Sequence, residues 1–320
     1  MLNLRYHVVS LVAVFLALGI GVIMGVTVIN RGIVDQLRNR LDSVEKSDRQ
    51  TRKDNDRLAT QLRTWDRFVD QGRTELLADQ LRGVPVLLVG VDGIDRKPVT
   101  DLRSSLIDAG ATLEGTLWLN DKLNLRSQAD ANAVAAALGI PQDTPDVVRA
   151  SALSKLAAVL QGAGDPAGVI PALREAGVID YEAPPSPTSS SSSSSPTTVP
   201  LGPGAIPLPG TRSIIVSGAG ARLDDDTMTM PFVIQMALGG APIVAAEAGQ
   251  DTPGGRDVFV GLILQRPDTA THVSTVDNLE SFIGQAAGVL ALRDAGKQPP
   301  NHYGVGPGAQ RLLPEPSPAP

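Results

Sequence analysis

The sequence contains no cysteine among its 320 residues. This absence excludes a disulfide framework, a thiolate nucleophile and every metal site that depends on cysteine ligands. Aromatic side chains make up only 3% of the chain, so its core must be built from valine, leucine, isoleucine and alanine. A basic surface is missing too, because residues 83–320 carry 15 lysines and arginines against 24 aspartates and glutamates. That balance argues against nucleic-acid binding, which requires positive charge facing the phosphates.

The most apolar stretch of the chain, residues 8–29, carries no charged side chain. As an α-helix it would be roughly 33 Å long, which is enough to cross the hydrocarbon core of a membrane. The competing interpretation is a cleaved signal peptide, whose apolar region is shorter, roughly 7–15 residues, and ends at a small-x-small site. Because that site is absent, we expect a transmembrane signal anchor over residues 1–30. The short flank containing Arg5 favours a single-pass orientation that places the bulk of the chain outside the cell membrane.

Small residues recur every four positions inside the apolar stretch, at Ala17, Gly21 and Gly25. This spacing lets two membrane helices approach closely and predicts a dimerisation face. The segment that follows, residues 31–82, has a seven-residue apolar repeat with its stripe at positions a and d. When that repeat is extended backward into the apolar stretch, Gly21 and Gly25 fall at positions b and f, outside the stripe. A straight helix could not use both the glycine face and the a/d stripe for one dimer contact.

Residues 31–82 predict a coiled-coil stalk, because the apolar period changes to the 3-4 spacing of heptads. Polar residues occupy three central stripe positions, Asp48, Thr51 and Asn55, and asparagine at an a position favours a parallel two-stranded register. The predicted dimer contacts in this stalk are Leu37, Leu41, Val44, Asn55, Leu58, Leu62 and Trp65. The alternative is a single amphipathic helix packed on the globular domain.

From residue 83 onward, short valine-rich runs alternate with helical stretches, which predicts a mainly parallel α/β sandwich. Strands are predicted at residues 84–92, 112–119, 212–217, 242–247 and 257–264, with an edge strand at 272–276. Helices are predicted at residues 99–109, 129–138, 146–160, 167–176 and 224–238. A last helix is expected to begin at Asp277 as its cap, with Glu280 in the third helical position.

A segment rich in serine and proline, residues 183–210, interrupts this pattern. Its composition cannot bury a core, so a disordered linker is expected. The predicted organisation is an anchor at 1–30, a stalk at 31–82, a first part of the α/β domain at 83–182, the linker, a second part at 211–298 and a Gly/Pro-rich tail at 299–320. Each part has few strands, which favours one domain with an insertion over two separate lobes.

Few residues suggest chemistry. Gly218-Ala219-Gly220 follows a strand, but the dinucleotide-binding pattern G-x-G-x-x-G is incomplete because residue 223 is leucine, so a structural turn is favoured. The carboxylates of residues 224–226 suit a helix N-terminus, and a cation site is the alternative. No histidine spacing typical of catalytic zinc and no nucleophile context occurs. The sequence therefore predicts neither an enzyme nor a bound cofactor.

A soft metal such as Cu(I) would need methionine and histidine ligands in a chain without cysteine. The weak candidates for metal ligands are Met228, Met230, His272 and His302. Residues 228 and 230 lie about 200° apart on an ideal helix, so they could share a metal only in an extended segment. Core packing is the favoured role for both methionines.

Two stretches carry a family resemblance. The opening MLNLRYHVVSLVAVFLALGIGVIMG and the later HVSTVDNLESFIGQAAGVLALRDAG, followed by NHYGVGPGA and LLP, resemble the mycobacterial copper transport protein B (MctB) family. The order of anchor, coiled coil, α/β region and proline-rich tail is similar as well. The resemblance implies an actinobacterial cell-envelope protein with a role in copper transport or efflux and copper homeostasis, with the outer envelope as a second suggested location. Copper as a bound metal is implied by this resemblance alone.

The resemblance also implies an alternative function. Homologues are linked to a membrane complex with a cytoplasmic partner that supports cell division and envelope integrity, so the chain could be a non-catalytic dimeric scaffold. One apolar helix per chain, with only Ser10 and Thr27 as polar side chains, cannot line a polar pore unless several copies assemble. The residues that match the family's C-terminal signature have no assigned role; they are Ser274, Thr275, Asp277, His302, Tyr303 and Gly304. Buried structural roles are expected for the first three, and a packed surface loop is expected for the Gly-rich segment 302–308.

Overall fold

The computed structural model describes residues 4–185, 207–249 and 259–315. They belong to two compact units, Met1–Phe68 and Val69–Pro320, and each is described by itself. Most of the expected linker, the start of the strand expected at 257–264 and the last five residues of the tail lie outside the described residues.

The described part of the first unit is helical. Helix α1 extends over Leu4–Leu77 and continues into the second unit. Its segment Arg5–Gly25 is long and apolar enough to cross a membrane, and none of that segment is buried, which is consistent with a membrane anchor. The apolar stripe of the expected stalk is also exposed, from 49% at Trp65 to 65% at Val44. The structure contains one chain, so the parallel coiled-coil dimer stays a prediction.

The second unit contains one seven-stranded sheet in the order β3-β2-β1-β4-β5-β6-β7. All neighbouring pairs are parallel except β2 and β3, which are antiparallel. The expected mainly parallel α/β architecture is therefore confirmed. Strands from both sides of the Ser/Pro-rich segment share the sheet, because β1 pairs directly with β4. The strand bounds are β1 Pro85–Val91, β2 Thr112–Leu119, β3 Ile179–Glu182, β4 Arg212–Gly218, β5 Ile243–Ala248, β6 Ser274–Val276 and β7 His302–Tyr303.

Helices cover both faces of the sheet, so the interior consists of two apolar layers. Alternate residues of β1 enter different layers, as the period of two in a strand requires: Leu87 and Val89 enter one, Val86 and Leu88 the other. The first layer is closed by α3 to α7, and the second by α2, α9 and the end of α1. The helix bounds are α2 Arg96–Asp108, α3 Gln128–Leu138, α4 Pro145–Leu160, α5 Pro166–Glu175, α6 Met230–Leu238, α7 Phe259–Leu264, α8 Pro267–Ala270 and α9 Phe282–Asp294.

Three local predictions are wrong. The strand expected at 257–264 is helix α7 where it is described, because Phe259 and Ile263 lie four residues apart and both face the core. A short apolar run fits either structure, and only its partners decide between them. The strand expected at the edge is β6, which lies between β5 and β7. Helix α9 begins after Ser281, whose side chain accepts a hydrogen bond from the amide of Gly284.

Other details were missed. The helix expected at 224–238 starts with a π-helical turn, Asp225–Thr229, before α6. The two edge strands of the sheet, β3 and β7, were not predicted from the sequence. Strand β7 contains only two residues, too few to show a pattern of alternation.

Candidate functional site at the carboxyl edge of the sheet

Parallel α/β sheets bind ligands outside the carboxyl ends of their strands, where the strand order reverses. In this sheet the reversal lies between β1 and β4, so the loops that follow these two strands form the first candidate site. The amide of Arg222 donates to the carbonyl of Asp92 over 2.8 Å, and the Arg222 guanidinium contacts the Asp92 carboxylate at 3.1 Å. The two loops are therefore joined directly to each other.

The glycines of the Gly218-Ala219-Gly220 turn permit this close packing. Gly218 and Gly220 have φ angles of +139° and +87°. A Cβ on Gly218 would collide with the carbonyl of Ala248, and a Cβ on Gly220 would lie 2.8 Å from the carbonyl of Gly93. The turn thus packs against neighbouring loops, and the helical turn after it begins with three carboxylates that would repel a phosphate. This geometry supports a structural turn over a nucleotide loop.

Each carboxylate in the run at residues 224–226 has its own partner in the protein. Asp224 accepts a hydrogen bond from the Thr227 amide over 2.9 Å. Asp225 accepts from the Ser217 hydroxyl over 2.6 Å, and burial raises the pKa of Asp225 although that bond acts in the opposite direction. Asp226 forms an ion pair with Arg266. Among residues 4–185, 207–249 and 259–315, no three or more His, Asp and Glu side chains are grouped to hold a metal ion.

The four candidates for soft-metal ligands lie on separate elements. Met228 is in the π-helical turn and Met230 begins α6; both are buried in the apolar layer under α3 to α7. His302 is buried in β7, and its Nδ1 lies 3.0 Å from the Thr275 hydroxyl. Burial lowers the pKa of His302, which favours the neutral ring. His272 is exposed after α8, with its Nδ1 2.7 Å from the carbonyl of Asp268.

The residues of the C-terminal signature lie in β6 or directly after it, in β7 and in the glycine-rich loop that follows β7. The Asp277 carboxylate accepts hydrogen bonds from the amides of Val305 and Gly306 over 2.9 and 2.8 Å. Gly304 has a φ angle of +141°, and a Cβ there would overlap the same carboxylate. Asp277 therefore holds the loop instead of capping α9 as expected. The sequence gives no sign that an aspartate pairs with amides almost thirty residues further on.

A buried carboxyl near the amino end of β2 was not predicted from the sequence. Glu114 in β2 has no accessible surface. Its Oε1 accepts a hydrogen bond from the Leu208 amide over 3.1 Å and contacts the Thr211 hydroxyl, while its Oε2 has no partner in the described part of the chain. Burial raises the pKa of Glu114. The available signal was a single charged residue, a glutamate before a glycine, in the otherwise uncharged run TLEGTLWL.

Comparison with known proteins gives one consistent result. The model of a family described as "Copper transport outer membrane protein, MctB" matches residues 1–191 and 203–314 of this sequence. Proteins named "Copper transporter MctB" from Mycobacterium bovis and from two strains of Mycobacterium tuberculosis are each 27% identical to it over 332 aligned positions. The alignment covers 98% of this chain and 99% of each relative.

Proposed function

Because the chain belongs to the MctB family of copper transport outer membrane proteins, we propose that it is a membrane-anchored envelope protein in copper transport and homeostasis. The observation that carries the membrane part of this proposal is the unburied apolar segment Arg5–Gly25. The copper part rests on the family match, which spans the anchor, the stalk and the α/β domain. The proposed role involves no catalysis, and the direct packing of the loops at the strand-order reversal supports this part of the proposal.

The proposed topology is a single span with the α/β domain outside the cell membrane. The basic flank at Arg5 supports this orientation through the positive-inside tendency. Protease added to intact spheroplasts should remove the α/β domain while leaving a short protected fragment that contains the anchor. Complete protection of the chain would contradict the topology. The family description names an outer membrane, and fractionation of the envelope distinguishes that location.

The proposed working form is an assembly, built from a parallel dimer of the stalk. A single apolar span with two polar side chains, Ser10 and Thr27, cannot enclose an ion, so one chain cannot form a conduit alone. The exposed stripe of the stalk supplies a self-complementary surface. In a parallel in-register pair, Arg40 at a g position faces Glu45 of the second chain at an e position, which adds an attractive contact.

Direct copper binding is a separate step of the proposal, with Met228, Met230, His272 and His302 as the candidates. The burial of both methionines means that they would reach a metal only after the first apolar layer opens. Titration of the full-length protein in detergent with Cu(I) and a competing chelator tests this step. Binding that is lost in the Met228→Leu and Met230→Leu variants supports the methionine ligands.

The genetic test is copper tolerance. A strain lacking the protein should grow more poorly in added copper, and the wild-type gene should restore growth. Altered cell shape at ordinary copper, with unchanged copper tolerance, would contradict the proposed function and would favour the scaffold.

A further inference from the structure

Glu114 lies inside the protein because of a local irregularity in the sheet. In the ladder between β1 and β2, Val86 pairs with Leu113 and Leu87 pairs with Gly115. Glu114 is therefore an extra residue of β2, a β-bulge. Bulges occur mainly in antiparallel pairs and often redirect a side chain, so this one in a parallel pair is an unusual feature of the fold.

Neighbouring residues stabilise the bulge. Gly115 has a φ angle of +116°, and a Cβ there would lie 2.6 Å from the carbonyl of Glu182. The Tyr181 hydroxyl donates to the carbonyl of Glu114 over 2.6 Å. Only glycine fits at residue 115, and the carbonyl freed by the bulge is satisfied. The buried position of the Glu114 carboxyl is thus built into the backbone.

The hydrogen bonds around this carboxyl depend on its protonation. The Thr211 hydroxyl contacts both Oε1 of Glu114 and the carbonyl of Leu208, the latter at 2.6 Å. A hydroxyl carries one proton, so it can donate to only one of these acceptors. When Thr211 donates to Leu208, a protonated Glu114 supplies the hydrogen of the other contact. When Glu114 is ionised, Thr211 must donate to the carboxylate and the contact with the Leu208 carbonyl loses its proton.

We propose that protonation of Glu114 is a switch that sets how firmly residues 207–211, through which the chain enters β4, are held against β2. The neutral carboxyl lets Thr211 close the turn onto Leu208. The ionised carboxylate redirects that hydroxyl and places a charge in the interior, where no residue in the described part of the chain supplies a compensating cation. The segment therefore loosens as the proton is lost.

No lysine, arginine or histidine forms an ion pair with this carboxyl among residues 4–185, 207–249 and 259–315. The β1 residues beside it and residues 207–211 contain no titratable side chain. From β3, the Tyr181 side chain lies near Glu114. Burial and the Glu114 charge both raise the pKa of Tyr181, and the positive charge of Arg174 lowers it. The Glu182 carboxylate is held by Arg103 and by the Trp118 indole.

The same segment forms one wall of a cavity of about 430 Å³. The ends of α4 and α6 supply other walls, including Gln161 and Gly239. Water that enters through this cavity can hydrate the ionised carboxylate once residues 207–211 move. Burial raises the folded pKa of Glu114 above its ordinary value, although the hydrogen bonds from Thr211 and Leu208 act in the opposite direction. The form in which residues 207–211 are held against β2 is therefore fully stable at acidic pH. That stability is lost as the pH rises from the ordinary glutamate range through the raised value.

Hydrogen–deuterium exchange of the full-length protein in detergent tests the switch. Protection of the amides of Leu208 and Thr211, corrected for intrinsic exchange rates, should fall by up to about tenfold for each pH unit between the ordinary glutamate pKa and the raised Glu114 value, and should level off above it. The Glu114→Gln variant keeps an acceptor but cannot ionise, so its protection should not depend on pH. Glu175→Gln, at an exposed glutamate at the end of α5, should retain the wild-type dependence.

Infrared spectroscopy of the wild-type protein keeps the test decisive if Glu114→Gln folds poorly. A protonated carboxyl band should disappear as the pH reaches the value at which the acceleration of exchange levels off. Wild-type protection that does not change with pH, or an equal change in a folded Glu114→Gln variant, would overturn the switch. This inference does not depend on the proposed role in copper transport.

Discussion

Replacing Asp277 with alanine should release the glycine-rich loop that follows β7. The side chain accepts two backbone hydrogen bonds, from Val305 and Gly306, and each bond to a charged acceptor contributes about 1.5–3 kcal/mol. Val305 is exposed, so water replaces part of that loss, and we expect a local cost of about 2–4 kcal/mol. This corresponds to at least about 30-fold faster exchange of both amides.

Hydrogen–deuterium exchange of the full-length protein measures that change amide by amide. Asp277→Asn retains one acceptor oxygen and should give an intermediate rate. Asp146→Asn is a matched control, because Asp146 is exposed and its ion pair with Arg149 lies at the surface, where such pairs contribute little. Unchanged protection at Val305 and Gly306 in Asp277→Ala would refute the role of this carboxylate in holding the loop.

Three further predictions address the stalk, the pH response and the core. Leu58→Asp should abolish the dimer in analytical ultracentrifugation, and Asp48→Leu should tighten it, because two aspartates face each other at this a position in a parallel pair; a wild-type monomer contradicts both. His302 contributes stability that is complete above the ordinary histidine pKa and is lost as the pH falls toward its lowered value, so thermal unfolding of His302→Gln should show a smaller drop in acid. Gly90→Ala should lower the free energy of unfolding, measured by urea titration, by about 1–3 kcal/mol, since the new Cβ would lie 2.5 Å from the Trp118 ring. Gly72→Ala, where nothing lies within 4 Å of the new Cβ, should be neutral or stabilising in the same titration.

The sheet was predictable where strands carry apolar runs bounded by turns. The predicted strand at 112–119 has the same bounds as β2. The ends of β1, β4 and β5 lie within one or two residues of the predicted ends. These strands are buried on both faces, which produces continuous apolar stretches. Residues 257–264 are as apolar as these strands, so their composition did not distinguish helix α7 from a strand. The packing of Phe259 and Ile263 into the same apolar layer is what favours the helix.

The candidate functional residues were harder to predict from the sequence, because their contacts join residues that are far apart along the chain. Asp277 precedes the amides it binds by almost thirty residues, and Glu114 lies far along the chain from Thr211. Local rules assigned Asp277 to the cap of the nearest helix, since capping is a short-range pattern. The burial of Met228 and Met230, by contrast, agrees with the core role that their helical spacing favoured.

The central claim is that this envelope protein takes part in copper transport. The most direct measurement is the copper content of cells exposed to the metal, by mass spectrometry, in the native host with and without the protein. We predict that loss of the protein raises cell-associated copper and that the wild-type chain restores it, whereas a chain lacking residues 5–25 does not. Equal copper content in all strains would contradict the account.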